Sequence, residues 1–322
     1  MREIAATFDP SLSARVLERR PLRYTAGADP AVDRPAHVRA GSSLVWVGSR
    51  LAVVQDDALF LALVAPRHDL VGAVALPAPG GVRQFDDARG NQREKLDLEA
   101  AFVHAGRLIA LGSGATAERC RVVVVDLERG GRTRVVDARA LYDRLRADAW
   151  FCATELNVEG AVIVGEALRV FQRGNGAALG GRAASDATAD LPLAEVLAFL
   201  DAGGAGPAPA PRDVVRYRLG ALAGVSLGFT DAAAQGERVL YVAAAEDSPN
   251  AVEDGPVAGM VLGALDEDRA RHAVVLDGER PLAVKAEGIA IDPDRPDRAF
   301  LVTDPDDPSA PSELVVVELQ GF

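Results

Sequence analysis

The sequence predicts an all-β fold, a single β-propeller, and three observations support that prediction. A short pattern recurs, best seen in Lys285-Ala-Glu287: a polar residue, an apolar one, a Glu, a small residue and then an apolar strand. Its copies are evenly spaced along the chain. Each copy begins a series of short Val- and Leu-rich segments that end at Gly, Pro or Asp. Regular repeats built only from strands are typical of propeller blades.

The spacing of the repeat predicts the number of blades. With the Glu as reference, the intervals are 57, 60, 68 and 60 residues, and the five copies lie at Ser42, Glu99, Glu159, Leu227 and Glu287. Five copies favour five blades, and six remain possible if residues 1–41 or the long third unit contain a degenerate copy. The whole chain, residues 1–322, is therefore expected to be one domain.

Taken in order, the units divide into strands and inserts. Residues 1–41 form an N-terminal segment, and the first two units each contain four strand-length runs. Helical and loop inserts are expected near residues 138–147 and 174–211. The fifth unit is one strand short, so a strand around Leu22–Thr25 is expected to complete it and close the ring, which removes an exposed sheet edge.

Composition excludes several classes of function. The chain has 49% hydrophobic residues and a net charge of −12, without a run of Lys or Arg, so neither nucleic acid nor an anionic membrane is an expected partner. The two cysteines form no disulfide or zinc pattern. The N-terminus has no signal-peptide pattern and the sequence no stretch of about 20 apolar residues. We therefore expect a cytoplasmic protein, a monomer, whose partner is a small polar ligand or another protein.

Propeller geometry predicts where the site lies. The first strand of a blade is the innermost, and its start lies beside the end of the second strand, at one mouth of the central channel. Glu99, Glu159 and Glu287 should therefore surround this mouth. Other residues should approach it from the incoming loops and from the ends of the second strands, namely His37, Arg39, Asp97, Asn157, Lys285, Gln55, Asp56, Asp57, Ser113, Gln172, Arg173, Glu246, Asp247 and Asp304.

Three carboxylates at one mouth repel one another. They must bind a cation, pair with Arg173 or Lys285, or hold a proton. A hard cation, Ca²⁺ or Mg²⁺, suits oxygen ligands without His or Cys. The other interpretation is a set of ion-paired or water-filled carboxylates with no metal. His37 is the histidine best placed for acid–base chemistry, although a lone loop histidine is more often simply exposed.

Several segments resemble known propellers. Glu-Gly-Ile-Ala at 287–290, Asp97-Leu-Glu99 and the run at 301–308 resemble bacterial phytase-like, esterase-like propeller proteins. Gly228-Phe-Thr-Asp231 and Ala244-Ala-Glu-Asp247 resemble an uncharacterised propeller family in that neighbourhood. The likeness covers about residues 40–320. The wider group is similar to calcium-dependent lactonases, which implies a channel Ca²⁺ held by Glu99, Asn157, Glu159 and Glu287. Ser42, Leu227 and Lys285 depart from that ligand pattern.

Two hypotheses of function follow. In the first, the protein hydrolyses an ester, lactone or phosphoester at the acidic mouth. Glu99, Glu159 and Glu287 would be the catalytic carboxyls, Lys285 or Arg173 would hold an anionic group, and His37, Arg39, Asp97 and Asp304 would contact the substrate. In the second, the propeller binds a ligand or a protein without catalysis, because the fold alone does not determine function.

Overall fold

The computed structural model describes residues 2–68, 70–128, 131–247, 250 and 255–322. Within these residues, the long strands form five four-stranded antiparallel units, which we call blades I to V. A short parallel pairing between Ala270–Asp277 and Ser13–Pro21 joins the last two units into one continuous sheet. Blades I to IV begin with the innermost strand and proceed outward along the chain, and blade V does the same for its first three strands. Alternating or continuous β-branched and apolar residues, as in Arg121–Asp126, favour these strands because both faces of a blade are covered by neighbours.

The strands have the following bounds. Blades I and II contain Gly41–Val47, Arg50–Gln55, Phe60–Ala65 and Leu70–Ala75, then Leu98–His104, Arg107–Gly112, Arg121–Asp126 and Arg132–Asp137. Blades III and IV contain Val158–Val164, Ala167–Gln172, Asp186–Pro192 and Arg212–Arg218, then Val225–Gln235, Arg238–Glu246, Val257–Leu265 and Ala270–Asp277. Blade V contains Lys285–Ile291, Arg298–Asp304, Glu313–Gln320 and, from the N-terminal segment, Ser13–Pro21. Shorter strands are Arg2–Ala5, Thr7–Phe8, Ala221–Leu222 and Arg280–Pro281, and the helices are Arg139–Ala147 and Leu193–Asp201, with 3₁₀ turns at Pro30–Val32, Pro79–Gly81 and Gln92–Glu94.

The blades form a ring. Each inner strand contacts the inner strand of the next blade, and the inner strand of blade V contacts that of blade I. Five apolar clusters lie between successive blades, so the core is a set of blade interfaces around the channel. At the III–IV interface, the ring of Phe229 makes edge contacts with Phe171, Tyr217 and Tyr241 at centroid distances of 5.2, 5.4 and 5.2 Å. The all-β propeller prediction is confirmed.

The N-terminal segment joins three blades. Arg2–Ala5 pairs with the outer strand of blade III, Thr7–Phe8 with that of blade IV, and Ser13–Pro21 completes blade V beside Glu313–Gln320. An N-terminal strand therefore completes the fifth unit, but the expected position, Leu22–Thr25, was wrong. That stretch follows the closing strand, and the amide of Leu22 donates to the carbonyl of Ser312.

The long third unit contains a strand that the sequence analysis placed inside an insert. Asp186–Pro192 is the third strand of blade III, although its composition, with two Asp and two Ala, does not resemble a buried strand. The helix Arg139–Ala147 follows blade II, and Leu193–Asp201 follows the third strand of blade III; both pack on the II–III interface. No helix among the described residues is long and apolar enough to cross a membrane.

Candidate functional site

A β-bulge at the start of each inner strand builds the channel mouth. In each blade the pairing with the second strand skips one residue, and the skipped residues are Ser42, Glu99, Glu159, Thr230 and Glu287. A bulged residue is left unpaired and its side chain is turned out of the regular alternation. The sequence alignment that put Leu227 in the fourth position was therefore wrong, and Thr230 occupies it. The offset arises because the inner strand of blade IV, Val225–Gln235, begins earlier than the others.

The five bulge positions divide into two chemical kinds. Ser42 Oγ donates to the carbonyl of Leu98, and Thr230 Oγ1 donates to the carbonyl of Ala286 at 2.8 Å. Both hydroxyls therefore join one blade to the next. The other three positions carry Glu99, Glu159 and Glu287, which are 8%, 4% and 3% exposed. Three carboxyls are thus buried at the bulges of blades II, III and V.

Arg173 connects the carboxyls of three blades. Its guanidinium bonds Glu246 through Nη2, and Nη1 lies 3.4 Å from Glu159 Oε1 and 4.0 Å from Glu287 Oε1. Burial lowers the pKa of Arg173, but the charges of these three carboxylates outweigh burial and raise it. Burial raises the pKa of Glu246, yet the charges of Arg173 and then Lys285 hold it below its usual range. Arg173 is therefore a buried cation held by blades III, IV and V.

Lys285 plays a similar part in blade V. Its Nζ lies 3.1 Å from Glu287 Oε1, 3.3 Å from Asp306 Oδ1 and 4.0 Å from Asp304 Oδ2. Burial raises the pKa of Glu287 well above its usual range although Lys285 opposes the change, since Asp304 and Glu159 add negative charge. The positive charge that interrupts the predicted ligand pattern thus neutralises part of the acidic mouth.

A second network occupies the side of blades I and II. Lys95 Nζ lies 2.6 Å from Asp56, 3.1 Å from Asp97 and 3.3 Å from Asp57. Asp97 also pairs with Arg119 at 2.8 Å and accepts a hydrogen bond from Ser113. Burial raises the pKa of Asp97, but Lys95, Arg119 and Ser113 outweigh it and lower the pKa. This network is salt-bridged throughout.

Glu99 lies between the two networks without a cationic partner. Its Oε2 is buried and has no hydrogen-bond partner among the described residues, and no described Lys or Arg nitrogen lies within 4 Å of its carboxyl. One carboxylate oxygen of Glu99 lies within 4.8 Å of one from Asp56 and one from Asp97. Burial, and then the negative charges of Asp56, Asp97, Glu159 and Glu287, raise its pKa well above the usual range. The surroundings of Glu99 therefore favour its protonated form over the carboxylate unless a cation joins it.

Glu159 has one occupied and one free oxygen. Oε1 accepts from Asn157 Nδ2 at 2.7 Å and lies near Arg173, whereas Oε2 is buried without a partner in the described chain. Burial raises the pKa of Glu159 to about 7, with Arg173 and then Lys285 opposing the rise. A carboxyl with this pKa exchanges protons near neutral pH, as a general acid or base must.

We predict that Glu99→Gln stabilises the protein. The folded-state pKa of Glu99 lies above its unfolded value of about 4.3, so the folded state holds the extra proton and wild-type stability falls as pH rises above that value. Glutamine keeps the shape without the charge, and the gain should reach about 1–3 kcal/mol near pH 8 and shrink towards pH 4. Denaturant unfolding across this pH range measures it, with exposed Glu94→Gln as control; a loss of stability at pH 8 would contradict it.

The remaining predicted residues lie at different distances from these carboxyls. Asp304 borders Lys285, and Arg39 reaches the blade I–II network through Asp57 at 3.7 Å while bonding Asp86 at 3.2 Å. His37 is half-buried, and its Nε2 lies 3.2 Å from the carbonyl of Pro308; none of its described contacts reaches the three glutamates. Burial lowers the pKa of His37.

Sequence reasoning missed Lys95 and Arg119, which lie in loops outside the repeat. It also missed Asp186, whose Oδ1 accepts from the amides of Phe229 and Gly174 at 2.9 and 3.1 Å. Burial raises the pKa of Asp186 to about 6. A signal was available for Lys95, because it stands two residues before Asp97 and the two side chains form a salt bridge within this short segment.

Comparison with known proteins assigns the chain to a family. A model described as a family of unknown function (DUF6929) matches residues 37–319, and the chain belongs to that family. No curated protein matches the sequence.

Solved structures of low sequence identity resemble the fold. The calcium-binding protein regucalcin from Agrobacterium tumefaciens is 10% identical over 100% of this chain and 97% of its own, with a TM-score of 0.40. A GH93 α-L-arabinofuranosidase of Fusarium graminearum, solved with arabinobiose, is 10% identical over 94% of this chain and 98% of its own, with a TM-score of 0.44. A Bacillus subtilis arabinanase is 8% identical over 88% of this chain and 94% of its own, with a TM-score of 0.41.

Proposed function

We propose that the protein binds a small polar ligand at the channel mouth and hydrolyses an ester or lactone there. The observation that carries this proposal is the pair Glu99 and Glu159, two buried carboxyls that each have an oxygen without a partner among the described residues. Strongly perturbed carboxyls in a cleft mark candidate catalytic groups. Glu159, with a pKa of about 7, would accept the proton of the attacking water.

The balance of charges at the mouth limits the class of substrate that the site would accept. Among the described mouth residues, the carboxyls outnumber the cations. The cations are Arg39, Lys95, Arg119, Arg173 and Lys285. The carboxyls are those of Asp56, Asp57, Asp97, Glu99, Glu159, Glu246, Glu287, Asp304 and Asp306. An anionic group would have to displace Glu246 or Glu287 from Arg173 or Lys285. A neutral ester or lactone therefore suits the site better than a phosphoester, which the sequence resemblance would also allow.

Two sets of mouth residues are candidate ligands for Ca²⁺, and each would have to rearrange to bind it. Asp56 and Asp97 already hold Lys95, so a metal bound by Asp56, Asp97 and Glu99 would compete with a buried ammonium. The other candidate set is Glu99, Asn157, Glu159 and Glu287, whose oxygens are ligands of the kind Ca²⁺ prefers. Among the described acidic residues, the group with three carboxylate oxygens within 4.8 Å of one another is Asp56, Asp97 and Glu99, so Glu159 and Glu287 would have to move towards Glu99 to share an ion with it. Asn157 donates through Nδ2 to Glu159 and Asn175, so Oδ1 is its atom for a cation. When bound, Ca²⁺ would polarise the substrate carbonyl.

A thermal melt tests whether the folded protein binds Ca²⁺. Protein stripped with EDTA should gain about 2.7 kcal/mol when free Ca²⁺ reaches 100 times its dissociation constant, because the ion binds only the folded state. Glu159→Gln should abolish the gain and exposed Glu166→Gln should keep it. An unchanged melt at millimolar Ca²⁺ would remove calcium from the proposal.

A non-catalytic role is the second candidate, and one observation favours it. The side chains of Glu99, Glu159, Glu287, Arg173 and Lys285 are all less than 9% exposed, and both cations are paired with carboxylates. Such a network could close the channel and leave the surrounding loops to bind a ligand or a protein partner.

Hydrolysis assays separate the two functions. A panel of neutral esters, lactones and phosphoesters would be tested with wild type, Glu159→Gln and Glu166→Gln at equal concentration. Turnover by wild type and Glu166→Gln that is lost in Glu159→Gln supports the hydrolase. Equal trace rates in all three proteins would reject it in favour of the binding role.

A further inference from the structure

A groove of about 600 Å³ lies between the outer strand of blade III and the start of blade IV. Its walls come mainly from residues 182–186, 216–220 and 226–227. These residues lie near the end of a fourth strand or the start of a first or third strand, so the groove opens on the face of the propeller that carries the bulges. None of the three glutamates is among the described residues that line it, so the groove is separate from the channel mouth.

Three arginines line this groove, although the chain as a whole is acidic. Arg182, Arg216 and Arg218 contribute to its wall, whereas the net charge of the chain is −12. The carboxyls of the wall are those of Glu3 and Asp186. Glu3 Oε1 is paired with Arg218 Nε at 3.0 Å, and the buried Asp186 accepts hydrogen bonds from two backbone amides. Both carboxyls therefore already have partners other than Arg182 and Arg216.

The guanidinium of Arg216 is fixed in position by its neighbours. Its Nε and Nη2 donate to the carbonyls of Trp150 and Ala149 at 2.8 and 2.6 Å, and its central carbon lies 4.1 Å from the centroid of the Trp150 ring. Among the described residues, Nη1 has no hydrogen-bond partner and no carboxylate within 4 Å, and it retains contact with solvent. A guanidinium held in this way loses little freedom when it binds an anion.

Arg182 adds a second cation without a carboxylate partner. Its side chain is exposed, and in the described part of the chain no carboxylate lies within 4 Å of its guanidinium. The arginines of an adjacent groove are paired instead: Arg169 Nε lies 2.7 Å from Asp190, and Arg2 Nη1 lies 2.6 Å from Asp268. An anion would have to displace those carboxylates, whereas it would displace none from Arg216 or Arg182.

We propose that this groove binds a small organic anion, whose carboxylate or phosphate group pairs with Arg216 while Arg182 adds positive charge. Guanidinium groups are well matched to both oxyanions, because their N–H groups lie in the plane in which the anion's oxygens accept. The body of the ligand would lie along the apolar part of the wall, which consists of Ala153, Ala183, Ala184, Leu219 and Leu227. This site does not depend on hydrolysis at the channel mouth.

Three probes of nearly equal shape and different charge test the proposal on the full chain. Benzoate is an anion, benzamide is neutral and benzamidine is a cation, and each would be titrated by calorimetry. We expect benzoate to bind at least about tenfold more tightly than benzamide, the usual size of one charged hydrogen bond, and benzamidine to bind most weakly. Added NaCl should weaken the binding of benzoate and leave that of benzamide nearly unchanged, because salt screens a charge pair that is open to solvent.

A fourth probe, phenyl phosphate, distinguishes the two oxyanions. Tighter binding of phenyl phosphate than of benzoate would assign the groove to phosphate ligands, and the reverse order would assign it to carboxylates. Both orders support the proposal, provided that each anion binds more tightly than benzamide.

Matched variants locate the anion. Arg216→Gln should reduce the affinity for benzoate to that for benzamide, and Arg182→Gln should weaken benzoate by a smaller factor. Arg212→Gln changes another arginine of the same strand, one that is paired with Glu195, and should bind like wild type.

The fluorescence of Trp150 provides a local signal for the same site. The chain has two tryptophans, so Trp46→Phe leaves Trp150 as the single emitter beside Arg216. Its emission should change on addition of benzoate, with the midpoint measured by calorimetry.

Three results would overturn the proposal. They are equal affinity for benzoate and benzamide, no binding of any probe, and binding of benzoate that survives both Arg216→Gln and Arg182→Gln. The last result would place the anion elsewhere on the chain. If Arg216→Gln does not fold, the exposed Arg182→Gln and the order of the probes on wild type still decide. A negative hydrolysis assay would leave all of these expectations unchanged.

Discussion

Exchanging Glu159 for glutamine should lower kcat/KM by about 10²–10⁴-fold for any ester or lactone that wild type hydrolyses, the usual contribution of a general base. Glutamine keeps the hydrogen bonds that Oε1 accepts from Asn157 and Arg173, so the mouth should keep its shape. It cannot accept the proton of water. The loss should therefore appear mainly in kcat, with KM nearly unchanged.

The pH dependence provides an independent check. A base must be ionised to act, and the pKa of Glu159 is about 7, so wild-type kcat/KM should rise as pH passes from 6 to 8 and then level off. The residual activity of Glu159→Gln should lack this rise, and Glu166→Gln should follow wild type. A wild-type profile that is flat through this range would exclude Glu159 as the base.

The repeat made much of the fold predictable from sequence. The Glu-small-apolar pattern marks a bulge at the start of an inner strand, and in four of the five blades a small residue follows the bulge where the strand meets its neighbour, namely Ser43, Ala100, Gly160 and Gly288. At Gly288, an added Cβ would lie 2.8 Å from the amide of Leu44 in the next blade, and at Gly160 it would lie 3.2 Å from the amide of Ala232. The pattern thus reflects packing around the channel, and it coincides with the bulge positions of Glu99, Glu159 and Glu287.

The same logic explains the errors. In blade IV the bulge carries Thr230 followed by Asp231, so a search for Glu and a small residue settled on Leu227, three residues too early. Asp186–Pro192 was missed as a strand because its polar atoms are satisfied by contacts distant in sequence, such as Asp186 with Phe229. The closing strand depends on pairing between the two ends of the chain, with Ser13 opposite Gln320, which no local pattern specifies.

The ion-pair partners of the mouth residues were harder to predict from the sequence than the positions of those residues. The sequence placed Arg173 and Lys285 at the mouth, either as partners of the carboxylates or as cations that hold an anionic group of the substrate, and it did not specify which carboxylates each would meet. In the structure Arg173 bonds Glu246 and lies near Glu159 and Glu287, while Lys285 lies near Glu287, Asp304 and Asp306. Three blades converge on one guanidinium, and only the assembled ring creates that arrangement. This arrangement makes Arg173 a structural residue before any role in binding.

Replacing Arg173 with methionine should therefore destabilise the protein by about 3–5 kcal/mol at pH 8, since removal of one partner leaves buried charges uncompensated. The carboxylate of Glu246 would lose the most stabilisation, because Arg173 holds its pKa below the usual range. Without the guanidinium, burial should raise the pKa values of Glu246 and Glu159, and both would take up protons on folding. The deficit should then shrink as pH falls towards about 5, where these carboxyls are neutralised.

Two further variants determine whether lost charge pairing or lost packing causes the decrease in stability of Arg173→Met. Arg173→Met combined with Glu246→Gln removes the orphaned carboxylate and should recover part of the stability at pH 8. Arg212→Met breaks an exposed pair with Glu195 and should cost at most about 1 kcal/mol, as surface pairs do. Denaturant midpoints at pH 5 and pH 8 measure the stability of Arg173→Met, of the double variant and of Arg212→Met relative to wild type. If the deficit of Arg173→Met were the same at both pH values and unaffected by Glu246→Gln, lost packing of the arginine side chain would explain it, and the central electrostatic role of Arg173 would be wrong.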